Sequence, residues 1–128
     1  MKAILILLLM FAAMVFEQSD ECLTVDDCAT AIKANPRSSL AHYQMGTILF
    51  RSQEWHRAAA EFREAQHGDL DPLWIEVWAH LYAGMTYDLS HERDRAVNEY
   101  KMALRTSDNT RGALRIAAKY LDAPYRLP

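Results

Sequence analysis

The sequence predicts an all-α protein of about six helices arranged as antiparallel pairs, and three observations carry that prediction. The chain is self-similar at a fixed offset of 38 residues. Each copy holds glycine, alanine, an aromatic and a second alanine at matching intervals: Gly46, Ala58, Phe62, Ala65, then Gly84, Ala96, Tyr100, Ala103. Helix start and stop residues bracket the segments between these positions. With 128 residues, 51% of them hydrophobic and only four glycines, the chain suits one folding unit.

Taken in order, Thr24 with Asp27 has a capping-box-like spacing that opens a helix, and Pro36 closes it. Ala41, His42 and Gly46 align with Ala79, His80 and Gly84 across the offset. Ser52, Glu54, Arg57, Ala58, Glu61 and Ala65 align with Ser90, Glu92, Arg95, Ala96, Glu99 and Ala103, giving nine identities in 25 positions. Small residues let two helices approach while the aromatic fills the space behind them, so each copy reads as a helix pair. Ser52 and Ser90 are expected to cap the second helix of each pair. Asp71 and Pro72 are expected to supply the N-cap and first residue of the next helix. A last helix, Thr110 to Asp122, carries Leu114, Ala117, Ala118 and Leu121 at helical spacing and stops before Pro124.

This glycine, alanine, aromatic, alanine layout resembles the tetratricopeptide repeat over roughly residues 24 to 122. The resemblance implies a right-handed α-solenoid within residues 22–128. Its parts are a half repeat at 24–36, repeat one at 38–68, repeat two at 71–107 and a capping helix at 110–122. The period departs from the family's, 38 residues here against about 34. The extra residues fall around Gly68 to Glu76 and should add about one helical turn without rotating its faces. In this family the first helix of each repeat lines a concave groove. Carried over, the groove positions are Leu40, Tyr43, Thr47 and Phe50 in the first copy, and Trp78, Leu81, Met85 and Asp88 in the second. Trp74 and Tyr82 lie alongside. Trp78, Leu81, Met85 and Leu89 form an aromatic and methionine-rich stripe that suits either partner binding or burial as core. The lysine and asparagine pattern with which some members clamp a chaperone's terminal carboxylate is missing, with Tyr43 and Thr47 where it would stand.

The formal charge of −3, with no cluster of basic residues, argues against a nucleic-acid partner. No Ser-His-Asp set, HExxH, glycine-rich phosphate loop or apolar-flanked carboxylate pair occurs, so no catalysis and no cofactor is expected. His42 and His80 share a register but lack a second ligand at i+4. Packing, with a backbone partner for each ring, is expected in place of a metal site. The charged residues Arg51, Glu54, Arg57, Glu61 and Arg63, and likewise Glu92, Arg93, Arg95 and Glu99, read as solvated faces.

Lys2 is followed by fourteen apolar residues, Ala3 to Phe16, and then by Glu17, Ser19, Asp20 and Glu21. That is the layout of an export signal within residues 1–21, with cleavage between residues 13 and 21. Left uncleaved, it would anchor the chain at a membrane, although the run is shorter than the roughly 20 residues of a spanning helix. Export implies a periplasmic or secreted protein, and the resemblance to short exported repeat proteins implies a bacterial one. Cys22 and Cys28 are too far apart to bond within one helix, so a disulfide requires Cys22 to lie off it; two free thiols are the alternative. The functional expectation is a non-enzymatic module that binds a protein or peptide partner, with a self-associating structural module of the envelope as the alternative and a metal-binding or enzyme-accessory protein as a third.

Overall fold

A computed structural model of the chain describes residues 21–128. The export-type segment and all but the last residue of its cleavage window lie outside the described residues. Six helices follow in chain order: α1 Val25–Ala34, α2 Ser39–Arg51, α3 Trp55–His67, α4 Trp74–Leu89, α5 Arg93–Arg105 and α6 Ala113–Asp122. No strand occurs among the described residues, and no helix among them is long and apolar enough to cross a membrane.

Local chemistry accounts for α1. The Thr24 hydroxyl accepts the N–H of Asp27 at 3.1 Å, Asp26 and Asp27 sit in the positive first turn, and Lys33 sits in the last. Because the chain is extended at Thr24, Cys22 lies outside the helix and folds back onto it. It is disulfide-bonded to Cys28 with the two Cα atoms 4.9 Å apart, and both residues are buried. Closing so short a loop restricts the unfolded chain by about 2 kcal/mol. Gln44 of α2 accepts the Cys22 N–H at 3.0 Å, which fixes the entry of the chain against the first repeat.

The two helix pairs turn by the same device, and it differs from the expected serine N-caps. Ser52 and Ser90 end α2 and α4. Gln53 and His91 then take left-handed backbone, each with φ 60°. The N–H groups of Glu54 and Glu92 return to the carbonyls of Leu49 and Tyr87 at 2.9 and 2.8 Å. That is the Schellman closure, built here without glycine. With only Gln53 and Glu54, or His91 and Glu92, between the C-cap serine and the next helix, the serines stand too early to cap α3 and α5. Those helices start with no side-chain cap.

The second correction concerns Asp71 and Pro72. The peptide between them is cis, and α4 begins at Trp74. The preceding loop is tied to the start of α2: Asp69 donates its N–H to the Arg37 carbonyl at 2.8 Å, Leu70 donates to the Ser39 hydroxyl at 2.9 Å, and the Asp69 carboxylate accepts the N–H of Ser39. A Cβ on Gly68 would come within 2.5 Å of the Arg37 carbonyl oxygen, so only glycine permits this approach. The chain leaves the tether too late for Asp71 to cap. The 16 residues of α4 against 13 in α2 still give the extra turn expected from the long period.

Each helix packs on its neighbours in sequence, and α4 also touches α2 and α6. The helices α2, α4 and α6 therefore form one layer, with α1, α3 and α5 behind it. Within the pairs, Phe62 lies over Gly46 and Tyr100 over Gly84, among the buried alanines at 58, 65, 96 and 103. At the end of the chain Thr110–Gly112 is a 3-10 turn with Arg111 and Gly112 at positive φ, so α6 starts at Ala113. The buried positions of α6 are Ala113 and Ala117, with Ile116, Tyr120 and Leu121 packed against the core. Ala118, expected in the stripe, is exposed.

Candidate partner-binding face

The layer of α2, α4 and α6 carries the aromatic residues singled out from the sequence. Leu40, Tyr43, Thr47 and Phe50 on α2 are half-buried, as are Trp74, Trp78, Tyr82 and Met85 on α4. Two of the ten expected groove residues are not accessible: Leu81 is fully buried in the core and Asp88 is buried in a polar cluster. Both share the register of half-buried residues on α2, Tyr43 and Phe50, so the difference lies in the surroundings: α4 sits between α2 and α6, and Tyr125 lies on Asp88.

Tyr82 organises the face. Its ring stacks on Phe62 at 5.2 Å, and the edges of Tyr43 and Phe50 meet it at 5.9 and 5.3 Å. Trp78 lies 6.1 Å away, and Trp74 meets Tyr43 at 5.3 Å, nearly perpendicular. Edge and offset contacts of this kind hold rings in fixed orientations. The Trp78 indole N–H donates to the Thr110 carbonyl at 3.1 Å, and the Arg111 guanidinium lies 5.2 Å over the Trp74 ring. Burial raises the Tyr43 hydroxyl pKa well above the usual tyrosine range, so the phenol stays neutral. These aromatics are therefore both the outer wall of the core and a rigid, half-open surface.

The chain ends across this face. After α6 the backbone at Ala123 is extended, and the Tyr125 N–H donates to Asp88 Oδ2 at 2.9 Å. The Tyr125 ring lies 5.2 Å from Tyr120 of α6, edge-on, and 6.2 Å from Phe50 of α2. The tail thus crosses from α6 over the end of α4 to α2. An open cleft of about 640 Å³ separates it from Leu89, His91 and Arg93.

Asp88 is the hub of the polar cluster. Its side chain is 1% exposed, and its carboxylate accepts from Arg93 at 3.1 Å and from the Tyr100 hydroxyl at 2.7 Å as well as from Tyr125. Arg93 also donates to the Leu121 carbonyl at 2.9 Å, so it is a bridge to α6 and not the solvated charge expected. At the 38-residue offset Asp88, Arg93 and Tyr100 stand where the first repeat has Phe50, Trp55 and Phe62. An apolar trio, of which Phe62 is buried and Phe50 and Trp55 are half-buried, is replaced by three groups that satisfy one another. The signal was present in the sequence: a tyrosine in place of a packed phenylalanine brings a hydroxyl that requires an acceptor.

Glu61 and Glu99, also read as solvated, are instead the partners of the repeated histidines. His42 Nδ1 lies 2.7 Å from Glu61 and its Nε2 2.9 Å from the Pro36 carbonyl; His80 Nδ1 lies 2.7 Å from Glu99. Only His42 has the expected backbone partner. Among the described residues no group of three or more His, Cys, Asp or Glu side chains is placed to hold a metal ion. With acceptors at both nitrogens His42 is suited to the doubly protonated form, and the Glu61 hydrogen bond raises its pKa above 6.5 against the opposing effect of burial. Its protonation then stabilises the fold fully below about pH 6.5, and that contribution is lost as pH rises through the raised value. Urea unfolding of the parent and of His42→Gln should show a stability difference that narrows as pH increases from about 6 to 8.5. A difference that widens over this range contradicts the pairing.

No family model matches the chain, and neither a curated protein nor a solved structure matches it.

Proposed function

We propose that this is a tetratricopeptide-like interaction module that acts outside the cytoplasm and binds a protein partner on the face of α2 and α4. The reading is carried by the half-open aromatic surface of Tyr43, Phe50, Trp74, Trp78 and Tyr82. Tyrosine and tryptophan are the commonest binding anchors, and rings held by their neighbours lose little freedom on binding. Stacked helix pairs with small-residue crossings support the repeat reading. The Cys22–Cys28 disulfide and the apolar leader support export.

The test is capture from the envelope and secreted fractions of the source organism. Residues 22–128 serve as bait beside a Tyr43→Ala, Trp78→Ala variant whose far-UV circular dichroism matches the parent. Two anchors lost should weaken the captured partner by about 30-fold or more. Equal capture by both baits moves the interaction surface elsewhere.

A further inference from the structure

The geometry points to the C-terminal tail, Pro124 to Pro128, as a built-in occupant of this face, displaced by a partner segment of the same chemistry. That segment is an extended peptide with an aromatic ring in the place of Tyr125 and a main-chain N–H offered to Asp88. The inference rests on the reading of the α2 and α4 face as a partner site.

Three observations carry it. The tail leaves α6 through extended backbone at Ala123 and is seated at the Phe50 end of the face, held through one ring against Phe50 and Tyr120 and one N–H to Asp88. It is held at that point alone: Arg126, Leu127 and Pro128 are exposed, Leu127 by 47%. The cleft beside it leaves the strand open along the end of α4. Its composition fits an occupant and not a further helix. Pro124 and Pro128 hold φ near −65° and lack N–H groups, so neither continues α6. Asp88 explains the polarity of the seat. Where the first repeat has Phe50, the second has a buried carboxylate with one oxygen turned to a main-chain donor, which recognises backbone whatever side chain follows.

A tail joined to α6 by Ala123 and Pro124 competes at an effective concentration in the millimolar range, so a free peptide meets an occupied seat. The probe is a synthetic fluorescent peptide with the sequence of residues 122–128, titrated into the full chain and into its Tyr125→Ala variant. It should bind the variant at least about tenfold more tightly than the parent. The same peptide with alanine for its tyrosine should bind neither. In the parent, saturating peptide should speed hydrogen exchange of the Tyr125 amide as Asp88 releases it. Equal binding to both chains, no binding to the folded variant, or a Tyr125 amide still protected at saturation overturns the inference. If those failures occur while Tyr43→Ala, Trp78→Ala still releases the captured partner, the face stands as a partner site and only the tail's role falls. If the peptide results hold but partner capture ignores both substitutions, the seat belongs to the tail alone and the partner half of the inference is overturned. A concentration-dependent dimer that Tyr125→Ala abolishes would assign the seat to the tail of a second copy.

Discussion

Asp88→Ala is expected to lower the free energy of unfolding by about 3–5 kcal/mol, the largest effect of any single substitution on the inner layer. The carboxylate is 1% exposed and accepts from three residues on two segments: Arg93 and Tyr100 of α5 and Tyr125 of the tail. Alanine leaves the Tyr100 hydroxyl with no acceptor in a fully buried position, which alone costs about 1–3 kcal/mol. Arg93 fares better because it is 32% exposed and water reaches it, so the ion pair is the smaller share. A domain of this size has only about 5–15 kcal/mol in total, and the loss is readily measured by urea denaturation followed by circular dichroism. Asp88→Asn keeps an oxygen for Tyr100 and Tyr125 and should fall between the parent and the alanine variant. A loss below about 1 kcal/mol for alanine would mean that the cluster is solvated.

The first repeat supplies the complementary experiment. Writing its trio into the second, as Asp88→Phe, Arg93→Trp and Tyr100→Phe together, removes the side-chain polar groups of this cluster at once. Replacing a buried ionic network by packed apolar groups is often neutral or stabilising, so the triple variant should recover most of what Asp88→Ala loses. It should also free the tail, because the Tyr125 N–H then has no acceptor. Stability and tail attachment are coupled in the single variant and separate in the triple one.

How far these features could be read from sequence depends on the range of the interactions. The helix pairs were legible because crossings at Gly46 and Gly84 leave a mark at fixed spacing: no larger residue fits opposite Phe62 and Tyr100. Thr24 as a cap placed Cys22 off the helix, which allowed the disulfide that the structure shows but did not choose it over two free thiols. The histidine pairs were legible in principle, since His42 and Glu61, and His80 and Glu99, stand 19 residues apart in both copies. Identity at both ends of a spacing implies contact, and reading the glutamates by charge alone hid it. The serine caps were misplaced because Gln53 and His91 take a left-handed conformation that favours glycine, which the residue types do not announce. The tail was beyond reach: its attachment to Asp88 spans 37 residues, has no counterpart in the first repeat and follows no period.

Alanine at the two repeat glycines is the other large effect, and its sign is the informative part. In an exposed helix Gly→Ala stabilises by about 0.5–1 kcal/mol, through the entropy of the unfolded chain. Here a Cβ on Gly46 would stand 2.6 Å from Phe62 Cε1, and one on Gly84 would stand 2.4 Å from Tyr100 Cε1. Neither ring can withdraw freely. Both are fully buried, Phe62 is stacked on Tyr82, and Tyr100 is held by its hydroxyl on Asp88 at 2.7 Å. Overpacking of this kind costs about 1–3 kcal/mol, enough to reverse the propensity gain. Gly84→Ala should therefore destabilise more than Gly46→Ala, since the tethered ring has less room to give. The double variant should approach the sum of the two, as the clashes fall on different rings. A compensating Tyr100→Leu should soften the Gly84 penalty by removing the ring edge, despite losing the hydrogen bond to Asp88. If Gly84→Ala raised the urea midpoint, as it does at an open helical site, the close crossing of α4 and α5 would be refuted, and with it the physical basis of the 38-residue repeat.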